Sequence, residues 1–146
     1  MTENETIKVL SIMKAAYPTS FKGMTREDGL GMIRVWQMQF DAIPVELVFE
    51  AVNRLIGKNT FPPTVAEVKK ELKEIRDDAE EQLWLHERSY GKIYQLPETE
   101  LKRCRDVVYA LASVDGHENH LPKSIAASTE PRDRYYLQGG DLNELC

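Results

Sequence analysis

The sequence predicts an all-α fold: a small bundle of about five to six helices followed by an irregular, flexible C-terminal tail. Three observations carry this reading. Threonines with an acidic residue three positions on stand ahead of apolar runs, at Thr2-x-x-Glu5, Thr25-x-x-Asp28 and Thr64-x-x-Glu67, the pattern in which a hydroxyl accepts from a free helix amide and a carboxylate reaches back to the cap. Behind each, apolar residues recur every three and four positions, the spacing of one helix face. Sustained strand alternation is absent, and so is any repeat of solenoid length. With 146 residues and 42% hydrophobic content, the chain suits one domain with a modest core, or a small domain with a tail.

The elements follow in order. Helix one starts at Thr2 and carries Ile7, Leu10, Lys14 and Tyr17, widened by Ile12, Met13 and Ala16, until Pro18 ends it. Thr25 opens helix two, marked by Leu30, Ile33, Trp36 and Phe40; Gly29 and Gly31 in its first turns either permit close packing or mark a fraying end. Pro44 suits the first position of helix three, where a missing amide donor does no harm, and Leu47, Val48, Phe49, Ala51, Val52 and Leu55 form its stripe up to Gly57-Lys58-Asn59.

Phe61-Pro62-Pro63-Thr64-Val65-Ala66-Glu67-Val68 is a joint: two prolines cannot continue the preceding helix, and the Thr64 box fixes the start of the next. Helix four carries Val65, Val68, Leu72 and Ile75, and with no Pro or Gly before Gly91 it can continue through Leu83, Trp84 and Glu87. Pro97, with Glu98 and Glu100 in a favourable first turn, opens a last helix bearing Leu101, Cys104, Val108 and Leu111. After Ser113 the periodicity stops, and the composition does not bury enough apolar surface to offset backbone ordering. The expected organisation is an N-terminal helical domain over 2–76, an acidic helical extension over 77–112 and the tail over 113–146.

The net charge of −5 is unevenly placed: residues 1–76 hold 11 Lys/Arg against 10 Asp/Glu, and residues 77–146 hold 8 against 14. An acidic second half argues for a protein partner over a phosphate backbone there. No apolar run is long enough to span a membrane and no secretory signal opens the chain, so a cytoplasmic protein with reduced Cys104 and Cys146 is expected.

Catalytic and cofactor motifs are missing. The chain has no Gly-x-x-x-x-Gly-Lys-Ser/Thr phosphate loop and no Gly-x-Ser-x-Gly elbow, and its adjacent acidic pairs do not converge on a pocket. Asp115-Gly116-His117-Glu118-Asn119-His120 gathers two imidazoles, yet only two residues separate them, whereas a helical zinc pair needs three. Neither enzyme activity, nor a metal, nor a cofactor is expected.

Two binding readings remain. In one, the helix-turn-helix reading of residues 44–76 makes Lys69, Lys70, Lys73 and Arg76 a DNA-contacting face, weakened by the interleaved Glu67, Glu71 and Glu74. In the other, a protein partner is held by apolar residues without a core to join: one of the adjacent Trp84 and Leu85, and in the tail Tyr135, Tyr136, Leu137, Leu142 and Leu145, which either dock back onto the domain or form a short recognition segment that orders on binding. Trp36, Phe40, Phe49 and Phe61 are expected to lie in the core.

Four landmarks in order, Met13-Lys14-Ala15-Ala16-Tyr17-Pro18, Trp36-Gln37-Met38-Gln39-Phe40, Ile43-Pro44-Val45-Glu46-Leu47-Val48 and the double-proline joint, resemble the phage replicative helicase loader and inhibitor family of Gram-positive bacteria. The similarity covers about the first half of the chain, with a looser likeness through residues 79–111. The resemblance implies a small all-helical N-terminal domain and a C-terminal region that contacts a ring-shaped hexameric helicase. It further implies an adaptor and brake, not itself an ATPase, that works with an origin-binding initiator. The region after Ser113 departs from the family pattern.

Overall fold

The computed structural model describes residues 1–89 and 94–112, which form five α-helices and, among the described residues, no strand. They are α1 (Glu3–Ala16), α2 (Arg26–Gln39), α3 (Val45–Ile56), α4 (Val65–Arg88) and α5 (Glu98–Leu111). Each threonine box closes in both directions: Thr2, Thr25 and Thr64 accept from the backbone N–H of Glu5, Asp28 and Glu67, whose carboxylates accept from the cap N–H. Pro44 and Pro97 sit at the N-cap itself, one position before the expected first turn, and cap no amide with a side chain. Gly57 ends α3 in ordinary right-handed geometry, so its role there is to stop the apolar stripe without needing a left-handed cap.

α3 is the hub. It packs between α1 and α4, α2 rests on α1, and α5 lies along α4. Leu47, Val48, Ala51, Val52 and Leu55 are all buried, which is why α3 has the widest apolar face. They meet Val9, Leu10 and Met13 of α1, Val68, Leu72, Ile75, Ala79 and Leu83 of α4, and Leu101, Cys104, Val107, Val108 and Leu111 of α5 in one continuous core cluster. The joint is pinned from both sides: the Tyr17 hydroxyl donates to the Asn59 carbonyl at 3.1 Å, and the Lys69 ammonium donates to Gln39 Oε1 at 2.6 Å.

Several expected core positions are redistributed. In α1 the buried face is Thr6, Val9, Leu10 and Met13, and Ile7 and Ile12 are exposed. Thr6 is admitted to the interior because its hydroxyl donates to the Thr2 carbonyl at 2.8 Å, leaving no unsatisfied donor. Leu30 is exposed on α2, whose single buried side chain is Trp36. Trp36 and Phe40 are in the core and Phe49 is half-buried, but Phe61 is 74% exposed. Phe61 stands in the extended run before the two prolines, where helical spacing does not direct a side chain inward. Glu71, read from sequence as one of the acids interleaved with the bases of helix four, is buried.

The α2 glycines are not close-approach sites. A Cβ at Gly31 would meet nothing within 4 Å, and one at Gly29 would reach only the Met24 sulfur at 4.0 Å. Gly31→Ala should therefore raise stability by about 0.5–1 kcal/mol through helix propensity alone, read as a higher urea midpoint at unchanged m-value. A fall would mean that the open space is occupied in solution.

The Thr64 cap carries a pH-dependent prediction. The Thr64 amide and hydroxyl donate to Glu67 Oε2 at 2.7 and 2.8 Å, and these bonds hold the Glu67 carboxyl below the ordinary carboxylate range. A carboxyl whose folded pKa is lowered contributes stability above its unfolded value and loses it as pH falls through the folded one. Thr64→Ala should cost about 1 kcal/mol at neutral pH. The difference from wild type should shrink on acidification, as measured by denaturant unfolding at a series of pH values.

Candidate partner-binding surface

The second half of α4 is built from two opposed faces. Ile75, Ala79 and Leu83, at spacings of four, point into the core. Rotated away from them stand Asp77, Glu81 and Trp84. Trp84 is 53% exposed and Leu85 is 37% exposed. Both members of the adjacent pair therefore reach solvent, where sequence spacing required only one to do so. The Arg88 guanidinium lies 4.9 Å from the Trp84 ring centroid and covers one face of the indole. Sequence reasoning missed Arg88; its i,i+4 spacing from Trp84 puts it within reach of the ring but does not set the rotamer that covers it.

The surround is negative but internally paired on one edge. Arg76 donates to Asp77 at 3.1 Å and lies 3.8 Å from Glu80, leaving its side chain only 12% exposed. Partial burial, then the neighbouring Asp77, hold the Glu80 carboxyl above the ordinary range, and Arg76 opposes them. Beyond the indole, His86 accepts the Leu96 amide on Nδ1 at 3.2 Å, and the Ser89 hydroxyl lies within donating distance of the His86 and Tyr94 carbonyls, which ties the end of α4 to the residues just before α5.

A polar seam joins α3, α4 and α5 on another side. Arg54 bridges Glu50 at 2.9 Å and Asp78 at 3.4 Å, and Arg103 reaches Glu50 at 3.3 Å. These residues, with Gln82 and Cys104, line a small cleft of about 60 Å³. The Cys104 thiol approaches Gln82 Oε1 at 3.4 Å, and burial, then Glu100, push its pKa up, against Arg103, so it is an inert core thiol.

Lys69, Lys70, Lys73 and Arg76 occupy the first three turns of α4. Lys69 is half-buried against Gln39, and Lys70 and Lys73 are exposed. Tyr135, Tyr136, Leu137, Leu142, Leu145, Cys146 and the Asp115–His120 cluster lie outside the described residues. Among the described residues no group of three or more His, Cys, Asp or Glu is placed to hold a metal ion, and no helix is long and apolar enough to cross a membrane.

The joint and the Trp84 surface fall on either side of a boundary that comparison with known proteins draws. Residues 1–69 match the family model for the N-terminal domain of the phage SPP1 helicase loader and inhibitor, a match that ends inside the first turns of α4 just beyond the Thr64 cap. No curated protein and no solved structure matches the chain. All four landmarks, the α1 end at Tyr17, the Trp36–Phe40 pair, the Pro44 restart and the double-proline joint, lie within the matched span. Through residues 1–69, then, this chain is similar to the N-terminal domain of that phage helicase loader and inhibitor.

Proposed function

We propose that this protein is a non-catalytic replication adaptor of the bacterial cytoplasm that binds a hexameric replicative helicase, holds it inactive and assists its loading at a phage origin together with an origin-binding initiator. The family match over residues 1–69 carries this reading. On it, residues 2–76 are the N-terminal helical scaffold, residues 77–112 an acidic helical extension and 113–146 a tail. Trp84 and Leu85 act with Tyr135, Tyr136, Leu137, Leu142 and Leu145 as the helicase contacts. An indole flanked by charges and half open to solvent has the chemistry of an interface anchor, because tryptophan buries a large area at low entropic cost.

Deleting residues 132–146 is expected to abolish co-purification with the helicase while leaving thermal unfolding of the helical bundle unchanged. Retained capture would remove the tail from the contact. If Lys69, Lys70, Lys73 and Arg76 instead read nucleic acid, the protein would bind duplex DNA with an affinity falling steeply with salt, since each neutralised phosphate adds about one unit of slope. An adaptor shows no such slope.

A further inference from the structure

The open face of Trp84 has a candidate occupant within the same chain. Arg88 covers one side of the indole, which is still 53% exposed, beside the exposed carboxylates of Asp77 and Glu81 and the half-buried one of Glu80. Beyond Ala112 the sequence holds a segment with complementary character, Arg132-Asp133-Arg134-Tyr135-Tyr136-Leu137: two guanidinium groups directly before three apolar side chains. Guanidinium groups match carboxylates in geometry and charge, and tyrosine offers a flat ring to an exposed indole.

The connection has the right length. α5 runs antiparallel to α4, because Leu96 meets His86 and, further on, Cys104 meets Gln82. The end of α5 is thus displaced along α4 from the level of Trp84 by roughly the length of α5, about 20 Å at 1.5 Å per residue. The nineteen residues between Ala112 and Arg132 would span about 25 Å as a coil. A tether matched to its span gives an effective concentration on the order of millimolar, so even a weak contact is substantially occupied.

We propose that Arg132–Leu137 docks in cis on the open face of Trp84 and its carboxylate surround, and that helicase binding displaces it. The second clause rests on the adaptor reading above; the first does not. The tail then covers its own anchor until the partner competes for both.

Acrylamide quenching of tryptophan fluorescence in the full-length protein, without helicase, tests the docking directly. Trp36 is 4% exposed and contributes a nearly unquenched background, which the Trp84→Phe protein supplies for subtraction. The Tyr135→Ser/Tyr136→Ser/Leu137→Ser triple variant is expected to raise quenching of Trp84 about twofold. Glu80→Gln/Glu81→Gln should move it the same way. Equal quenching in wild type and triple variant overturns the proposal, as does protection that grows with protein concentration, which would place the segment of a second copy on the indole. Helicase capture on the same proteins is a separate readout: if the quenching change is seen but wild type captures no helicase, the adaptor reading fails and the docking stands.

Discussion

Replacing Phe40 with alanine should destabilise the bundle by about 3–5 kcal/mol, the range for removing a fully buried aromatic side chain from a core that relaxes only in part. Phe40 is completely buried and its ring packs against Trp36 at a centroid distance of 5.3 Å and an interplanar angle of 47°, a tilted arrangement that adds to simple area burial. Its backbone matters as well: the Phe40 N–H caps α2 by donating to the Trp36 carbonyl at 3.1 Å, and its own carbonyl accepts from the Ile43 amide at 3.1 Å. The effect should be large because the other inward side chains of α2, Met32 and Ile33, are only partly buried against the core. Trp36 is the single buried side chain within that helix, and Val35 and Met38 on its outer side are exposed. Losing the Phe40 ring leaves Trp36 facing a cavity where its aromatic neighbour stood.

Denaturant unfolding followed by circular dichroism reads the effect directly. The variant should show a lower midpoint with the far-ultraviolet signal of the folded state nearly retained, since α3, α4 and α5 keep their own apolar contacts. A cost under about 1 kcal/mol would mean that the site collapses around the deletion, and that α2 is seated by other contacts. The prediction also bears on the family landmark Trp36-Gln37-Met38-Gln39-Phe40: its two aromatic ends are core residues, while Gln39 between them accepts from Lys69 and ties α2 to the first turns of α4. That motif is structural, which is consistent with functional contacts lying elsewhere on the chain.

What the sequence made legible was the helical punctuation. A threonine cap with an acidic residue three positions on is a local device whose outcome depends on neighbours in the chain, so all three starts were readable and all three boxes close. The α3, α4 and α5 stripes were readable for a related reason: the buried residues of each follow its apolar spacing, so burial and periodicity coincide. α1 and α2 are less transparent. α1 packs against both α2 and α3, and its register turns on Thr6, a polar residue that is buried because a local hydrogen bond satisfies it. Phe61 misleads because composition marks a phenylalanine as core, while its position before two prolines takes it off any helix face. The Trp84 surface was visible as a conflict, two adjacent apolar residues with one stripe to fill; Arg88 stacking on the ring was not, because it depends on rotamers that spacing alone does not set. Glu71 was the largest omission. Its partners come from α3 and the turn after it, and pairing across elements leaves no periodic trace in the sequence.

That buried carboxylate carries the second large effect. Glu71 is 4% exposed, and the Lys58 ammonium donates to both of its oxygens, at 2.9 and 3.1 Å, with Arg54 3.8 Å away. Lys58 stands just past the end of α3, where its backbone N–H donates to the Leu55 carbonyl at 3.0 Å, so the ion pair locks the turn after α3 onto the second turn of α4. Removing one partner of such a pair leaves a charge in a poorly solvated site, and that asymmetry sets the magnitude. Lys58→Ala should cost about 1–3 kcal/mol, below the value for a fully enclosed pair because the lysine side chain is 56% exposed and Arg54 remains nearby. Removing both charges together is a different case: Lys58→Met/Glu71→Leu replaces an ion pair by apolar groups of similar volume, and its stability should lie close to wild type. The double-mutant cycle built from wild type, the Lys58→Met and Glu71→Leu single variants and the double variant should therefore show strong coupling between the two positions. Were Lys58→Ala to unfold within about 0.5 kcal/mol of wild type, the pair would behave as an exposed surface bridge, and the closure of α3 onto α4 would rest on Val52, Leu55, Val68 and Leu72 alone.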